Sequence, residues 1–183
     1  MNRGRRGRLT LARLLPVLAL VGSAGCSSHR PGPLSPVGGD RFFVAGYHPY
    51  WAGAAWESYP WNDLDQLYFF ELEVGADGRI ADPHGWPEEW SQLAARARDA
   101  GVSLVPTISM HDAEAFEELF RRPESVTRLV EVLVGLLAST RGIGGLHLDF
   151  EVFEPVHIAA RDGYTAFVAR LARRMDELDP SLS

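Results

Sequence analysis

The sequence predicts an α/β fold in which parallel strands are joined by helical crossovers. From Arg41 onward, the apolar spacing alternates between the two-residue period of strands and the longer period of helices. No Gly-x-Gly-x-x-Gly segment follows the first predicted strand, which argues against a dinucleotide-binding fold. Tyr47, Glu71, Ser109 and Glu151 instead end the predicted strands. An open doubly wound sheet and a closed eight-stranded barrel both agree with this pattern, and the active face of a barrel lies at these strand ends.

Two strands and one helix are predicted in the first half of the domain. Aromatic and β-branched residues indicate a strand over Arg41–Tyr47, and a proline soon after stops it. A second strand, Leu67–Leu72, leads into a turn at Gly75–Gly78. The helix Pro87–Ala100 begins with proline and two acidic residues and ends before Gly101.

The second half of the domain contains two more strands and three helices. Val102–Ser109 is the third predicted strand, and a short helix, Ala113–Arg121, follows it. A longer helix begins at Pro123 and has inward-facing apolar residues at helical spacing. Ile143–Glu151 is the fourth strand, and Tyr164–Leu178 is the last helix. Four strands in about 140 residues are half of an eight-stranded barrel, which needs about 250 residues.

The N-terminus is typical of an export signal. Residues 1–26 contain an arginine-rich start, a short apolar run and a small-residue segment that ends at Cys26. Ser-Ala-Gly-Cys resembles the lipobox of bacterial lipoproteins, which implies a lipid anchor on Cys26. We therefore expect an exported lipoprotein at the outer membrane or cell surface, or otherwise a secreted protein in which Cys26 is an incidental thiol. Residues 27–40 are rich in Pro, Gly and Ser and predict a flexible tether, so that the domain occupies residues 41–183.

Composition narrows the range of partners. The net charge is −6, and much of the arginine lies in the export signal, so that the domain itself is more acidic. Acidity argues against nucleic acid as a partner and suits a neutral ligand such as a sugar. Cys26 is the only cysteine, which excludes an intramolecular disulfide. The spacing of the domain's other histidines does not predict a metal site, and nothing indicates a cofactor: His48, His84, His111 and His157.

Residues 144–151, Gly-Gly-Leu-His-Leu-Asp-Phe-Glu, are the most informative segment. In a strand, the apolar residues fall on one face, whereas His147, Asp149 and Glu151 fall on the other. Titratable groups on such a strand are costly to bury unless they have a role. The two carboxylates are two residues apart, about 6.5 Å along the backbone. Because like charges this close do not both ionise readily, we expect one protonated and one ionised carboxyl group, as acid catalysis needs.

The same segment resembles the signature of glycoside hydrolase family 18, the chitinases and their relatives. That signature is Asp-Gly-aliphatic-Asp-aliphatic-Asp-aromatic-Glu, and Gly144 and His147 replace its first two aspartates here. Val-Ala-Gly-Tyr-His-Pro-Tyr-Trp is similar to the family's first strand, and Leu-Val-Pro-Thr-Ile-Ser to its third. The order of the strands is similar to the branch of spore-germination and cell-wall hydrolases. The resemblance implies a (β/α)8 TIM-barrel type fold, with the first four strand–helix units present in this chain.

The resemblance also implies a mechanism and roles for several residues. Family 18 enzymes use the N-acetyl group of the substrate as the nucleophile, which makes them an exception among retaining glycosidases. Glu151 is then the general acid, and Asp149 orients the acetamido group. Thr107 supplies a hydroxyl where many members have serine. The implied substrate is a β-1,4-linked N-acetylglucosamine glycan, either chitin or peptidoglycan.

The remaining candidate residues have competing interpretations. His147 can donate a hydrogen bond to Asp149, hold Asp149 away from substrate, or be a core histidine without a kinetic role. Tyr47 and Trp51 are expected to stack on sugar rings or to pack locally. Glu71 is a candidate substrate-binding residue, but a solvated sheet edge is the more ordinary location for it. The other tryptophans are expected to pack in the core.

Three functions agree with the sequence. The first is an exported glycoside hydrolase that cleaves N-acetylglucosamine glycans. The second is a catalytically weakened lipoprotein that only binds such glycans. The third is a metal-dependent hydrolase with His147, Asp149 and Glu151 as ligands, although no second histidine is placed to join them.

Overall fold

A curved, mostly parallel sheet forms the centre of the protein. The computed structural model describes residues 42–140 and 142–182. The predicted export signal, Cys26 and the tether lie outside the described residues. Five strands form the sheet: β1 (Ala45–Pro49), β2 (Gln66–Val74), β3 (Ile80–Asp82), β4 (Ser103–Met110) and β5 (His147–Phe150). Four are parallel in the order β1-β2-β4-β5, and β3 pairs antiparallel with β2. This is the strand order of the first part of a parallel barrel.

Helices make all but the first of the crossovers. They are α1 (Ser91–Ala100), α2 (Ala113–Arg121), α3 (Pro123–Ser139) and α4 (Ile158–Leu178). The connection from β1 to β2 contains two 3-10 segments instead of an α-helix, Tyr50–Ser58 and Trp61–Asp63. The first strand–helix unit therefore differs from the expected pattern. In the described part of the chain, no helix combines the length and the apolar character that crossing a membrane requires.

The predicted helix bounds are confirmed where a local capping group defines them. The short helix α2 has the predicted bounds, and its start is fixed by the Asp112 carboxylate, which accepts a hydrogen bond from the Ala115 N–H at 2.7 Å. Pro123 begins α3, as predicted, and Gly101 follows α1 in a left-handed conformation. These are local signals, so the sequence reports them directly.

Two helix starts were predicted wrongly. The segment from Pro87 to Trp90 forms turns, in which the Glu89 and Trp90 N–H groups donate to the Gly85 and Pro87 carbonyls, and α1 begins only at Ser91. In contrast, α4 begins six residues before Tyr164. His157 accepts a hydrogen bond from the Ala159 N–H, and its own N–H donates to Glu117 at 2.5 Å, which fixes the earlier start.

The first and fourth strands are shorter than predicted. Phe42, Phe43 and Val44 are exposed, and β1 begins at Ala45. The ladder of β5 covers only residues 147–150, but the flanking residues also pair with β4, since Ile143 bridges Leu104 and the Glu151 N–H donates to the Met110 carbonyl at 3.0 Å. Residues 143–151 therefore run alongside β4 over the range predicted for the fourth strand.

The two faces of the sheet differ in chemistry. One face, here called the helix face, packs under α1–α4 and carries the apolar core. The fully buried residues of this core, from both the strands and the helices, include Leu67, Phe69, Leu72, Leu104, Ile108, Leu129, Leu133 and Phe167. The opposite face, here called the inner face, carries Tyr47, Tyr68, Thr107 and His147, which contact one another. The inner face therefore holds the polar and aromatic groups.

A contact between the outermost parallel strands shows how strongly the sheet curves. Strands β1 and β5 are three strand spacings apart, about 14 Å in a flat sheet. The Tyr47 hydroxyl nevertheless lies 3.4 Å from His147 Nε2. Because side chains stand roughly perpendicular to a sheet, this contact requires the inner face to be concave.

Candidate active site

The strand alternation predicted for residues 144–151 is confirmed at its two best-defined positions. Phe150 packs among Phe116, Phe120 and Tyr164 under the helices. The His147 ring lies on the inner face against Tyr68, with a ring separation of 4.6 Å. Asp149 follows His147 by two residues and so shares the inner face.

The carboxylates of β5 lie at the carboxyl-terminal end of the sheet. Asp149 is half-buried and is in register with Ser109 on β4, just as His147 is with Thr107. Glu151 is exposed directly after the strand, and its backbone is still hydrogen-bonded to β4. The two acids therefore have different environments, with Asp149 deeper in the concave face and Glu151 at its rim.

Both ring nitrogens of His147 contact hydroxyl groups. Nδ1 lies 3.3 Å from Thr107 Oγ1, and Nε2 lies 3.4 Å from the Tyr47 hydroxyl. A neutral imidazole has one donor and one acceptor nitrogen, and a hydroxyl can match either of them. The predicted hydrogen bond from His147 to Asp149 is absent among the described residues, since β1 and β4 supply the partners instead. His147 and Thr107 thus support one another, and Asp149 is not held by His147.

The two predicted sugar-stacking residues are exposed aromatic rings beside this site. Tyr47 is 52% exposed and Trp51 is 64% exposed. Trp51 meets the Phe70 ring edge-on at 5.9 Å, and Phe70 also contacts Tyr47, so the rings form one group. Burial, followed by the neighbouring Tyr68 and Asp149, raises the pKa of the Tyr47 hydroxyl, so Tyr47 stays neutral at physiological pH.

Glu71 is placed differently from the solvated edge that we expected. Its side chain is only 8% exposed, and its Oε2 lies 3.3 Å from His111 Nε2. Glu73, two residues further, is exposed, as expected for an edge. Glu71 therefore belongs to a polar cluster at the carboxyl-terminal end of β2.

Gly144 fits closely against β4. A Cβ atom at this position would collide with Ser103 Oγ and lie 3.3 Å from the Ser103 Cβ. An aspartate, as in the family signature, cannot enter here unless Ser103 moves. Ser103 on β4 thus occupies the space that a side chain at position 144 would need.

The sequence did not single out Tyr68 or Phe70. They alternate with the buried Leu67 and Phe69 on β2, so period-two spacing places them on the inner face. The predicted core positions of the remaining tryptophans are confirmed: Trp61 and Trp86 are buried, and Trp56 and Trp90 pack against the core. His147, Asp149 and Glu151 do not form a metal-ligand group in the described part of the chain.

Comparisons with known proteins identify the fold. No protein-family model matches the chain, and no curated protein matches it. Several solved structures are similar. A chitinase from Bacteroides thetaiotaomicron has a TM-score of 0.62 at 15% identity, covering 72% of this chain and 42% of that one. A family GH18 chitinase from Cycas revoluta, in complex with allosamidin, has a TM-score of 0.58 at 19% identity, covering 78% of this chain and 43% of that one.

The chain has a chitinase-like barrel fold. The spore cortex-lytic enzyme SleL of Bacillus megaterium is also similar, with a TM-score of 0.56 at 18% identity. The match covers 76% of this chain and 33% of the SleL chain. The predicted fold class, α/β of the TIM-barrel type, is confirmed. The chain spans less than half of the length of the solved structures it matches.

Proposed function

We propose that the protein is an exported glycoside hydrolase acting on β-1,4-linked N-acetylglucosamine glycans, either chitin or peptidoglycan. The observation that carries the proposal is the pair Asp149 and Glu151 at the carboxyl-terminal end of β5, on the concave face of a chitinase-like barrel fold. This is the end of the strands at which barrel enzymes place their catalytic residues.

Each site residue has a role in substrate-assisted hydrolysis. Glu151, at the rim, donates a proton to the glycosidic oxygen as the bond breaks. Asp149, deeper on the same face, orients the acetamido group of the substrate, whose carbonyl oxygen attacks the anomeric carbon. His147 and Thr107 position the inner face around Asp149. Tyr47 and Trp51 offer exposed rings to pyranose faces, an amphipathic contact that aromatic residues make well.

Export and anchoring are part of the same proposal. Cys26 follows a signal-like segment and is the only cysteine, so a lipid attached there holds the domain at a membrane surface through the tether of residues 27–40. An acidic domain at the cell surface meets glycans rather than nucleic acids.

Removal of the proposed general acid tests the enzyme function. We expect Glu151→Gln to lower the hydrolysis rate of chito-oligosaccharides by about 10²–10⁴-fold, the usual contribution of general acid catalysis. The matched control is Glu154→Gln, an exposed acid three residues further along the same loop, which should keep the wild-type rate. Product release is measured by chromatography, with purified peptidoglycan as a second substrate. Equal rates for wild type and Glu151→Gln would contradict the assignment of Glu151.

A second candidate is a glycan-binding protein with weakened catalysis. Two observations favour it: His147 is bound by hydroxyls from other strands instead of by Asp149, and Ser103 closes the space beside Gly144. This candidate predicts that the wild type binds chito-oligosaccharides without turnover and that Glu151→Gln leaves the affinity unchanged.

The variant His147→Asp tests whether His147 slows hydrolysis or has no effect on the rate. If His147 impairs the site, the variant turns over chito-oligosaccharides faster than the wild type, because an aspartate restores the family's carboxylate beside Asp149. Rates are compared at equal folded fractions, since the variant loses the contacts to Tyr47 and Thr107. No gain in rate would remove the idea that His147 slows the chemistry.

A further inference from the structure

A mixed group of carboxylates and imidazole lies at the carboxyl-terminal end of β2. One donor atom from each of Glu71, Glu73 and His84 lies within 4.8 Å of the other two. His84 Nε2 is 3.2 Å from Glu73 Oε1. We call these three residues the His84 cluster. Glu73 lies two strands from Asp149 at the same level of the sheet, and neither role proposed for Asp149 or Glu151 uses the His84 cluster.

We propose that the His84 cluster binds a divalent transition-metal ion of the zinc type. One imidazole nitrogen and two carboxylate oxygens are a donor set that zinc accepts, with a fourth position left for water or another ligand. Donor atoms in a tetrahedral zinc site are about 3.4 Å apart. The donor atoms, which lie within 4.8 Å of one another, therefore need to approach by at most about 1.4 Å to close around an ion.

His84 is held by contacts outside the cluster. Its Nδ1 lies 3.4 Å from Asp82 Oδ1, which also accepts a hydrogen bond from the His84 backbone N–H at 2.8 Å. Nε2 faces Glu73, so an ion bound there requires the ring proton on Nδ1, on the side of Asp82. The ring stacks on Tyr50 at a centroid distance of 3.6 Å with an interplanar angle of 6°. The His84 carbonyl also accepts a hydrogen bond from Trp90 Nε1 at 2.8 Å. A carboxylate on the far nitrogen of a histidine is the arrangement that orients metal-binding imidazoles.

The charge balance of the His84 cluster also favours a cation. Glu71 is 6% exposed, and Glu73 lies beside it. In the described part of the chain, the ion pairs of arginine side chains go to other carboxylates, and only His84 and His111 approach Glu71 and Glu73. A dication supplies the positive charge that two adjacent carboxylates require.

A buried polar group lies on the same side of the sheet. Ser109 is in register with Glu73, so the two side chains share a face. Ser109 is fully buried, and its Oγ has no hydrogen-bond partner among the described residues. A buried hydroxyl without a partner, next to Glu73 on the same face, is a group to which a metal-bound water can supply the missing hydrogen bond.

Zinc titration tests the proposal directly. We use the full chain without an added histidine tag and with Cys26→Ser, so that the thiol does not compete. Calorimetric titration with zinc chloride should show one saturable site per chain, and zinc should raise the melting temperature because the ion binds only the folded chain. His84→Asn tolerates the positive φ of 46° at this position and should weaken binding at least tenfold, as should Glu73→Gln.

Two further variants distinguish zinc binding by the His84 cluster from non-specific attraction of zinc to acidic side chains. Asp82→Asn, which leaves all three ligands in place, should weaken zinc binding by about 10–100-fold. Glu57→Gln removes an exposed acid elsewhere and should change nothing. Equal binding by all variants, no saturable binding by wild type, or calcium binding as strong as zinc would overturn the proposal. The readouts do not depend on glycan turnover, so they stand apart from the test of the proposed function.

Discussion

At the scale of single residues, His147 illustrates what sequence can and cannot predict. Its face on β5 followed from strand alternation alone. Its partners did not, because Tyr47 and Thr107 lie on β1 and β4, 100 and 40 residues away. The expected partner, Asp149, was chosen because it is close in sequence. Cross-strand contacts depend on register and curvature, which the local pattern does not contain.

His48 should make stability depend on pH. The residue is fully buried against Tyr59, Phe69 and Trp90, and burial lowers the pKa of its imidazole below the usual value of 6.5. In the unfolded chain His48 takes up a proton near pH 6.5, whereas in the folded chain it resists protonation. The free energy of unfolding should therefore fall as pH drops below about 6.5, by at most about 1.4 kcal/mol per pH unit from this group, until the lower folded pKa is reached.

His48→Phe is the variant that isolates this contribution. It keeps an aromatic ring in the same pocket and removes the titrating group, and the partly exposed Tyr59 hydroxyl can turn to water. Urea unfolding of wild type and variant between pH 7 and pH 5 gives the difference. Parallel pH profiles of the two proteins would show that His48 does not contribute.

At the scale of elements, local capping decided which predictions were correct. The start of α2 follows from Asp112 and that of α3 from Pro123, and both signals lie within one turn of the helix. The start of α4 depends on a hydrogen bond from His157 to Glu117, which lies 40 residues earlier on α2. The His84 cluster was not predicted either, because its members come from β2 and from the loop after β3 and meet only through the pairing of these two strands.

The crossing of α2 and α4 depends on a glycine. A Cβ atom on Gly163 would collide with the carbonyl oxygen of Phe120 and lie 2.9 Å from its carbonyl carbon, and this backbone cannot rotate away. We expect Gly163→Ala to destabilise the protein by about 1–3 kcal/mol, because overpacking outweighs the gain in helix propensity.

Gly135→Ala is the control for this substitution. Gly135 lies on α3 with no atom within 4 Å of an added Cβ, so alanine there should stabilise by about 0.5–1 kcal/mol. Thermal or urea unfolding measures both variants. A stabilising Gly163→Ala would mean that the two helices can separate without cost.

At the scale of the whole molecule, the alternation of strands and helices and the two unlike sheet faces were predictable, because apolar periodicity encodes both. In the described part of the chain, β1 and β5 lie at the edges of the parallel sheet. The choice between an open sheet and a barrel was not encoded locally. It depends on curvature, and the similarity to chitinase structures decided it.

The proposed anchor gives a prediction for the protein in a cell. The wild-type chain should partition with membranes and incorporate labelled fatty acid, whereas Cys26→Ser should do neither, because it lacks the only thiol. Fractionation and lipid labelling of a bacterial expression host measure both. Ser27→Ala, which keeps the thiol, is the matched control. Fatty-acid labelling of Cys26→Ser would contradict a lipid on the cysteine.

The contact between Tyr47 and His147 has a consequence for assembly. It joins the first and last parallel strands across the concave face, with the Tyr68 ring between them. Any further strand that pairs with β1 or β5, from this polypeptide or from another, adds to a sheet that is already curved. Closure then costs less conformational entropy than bending a flat sheet would. The contact between the Tyr47 hydroxyl and the His147 imidazole thus helps to set the radius of curvature of the sheet.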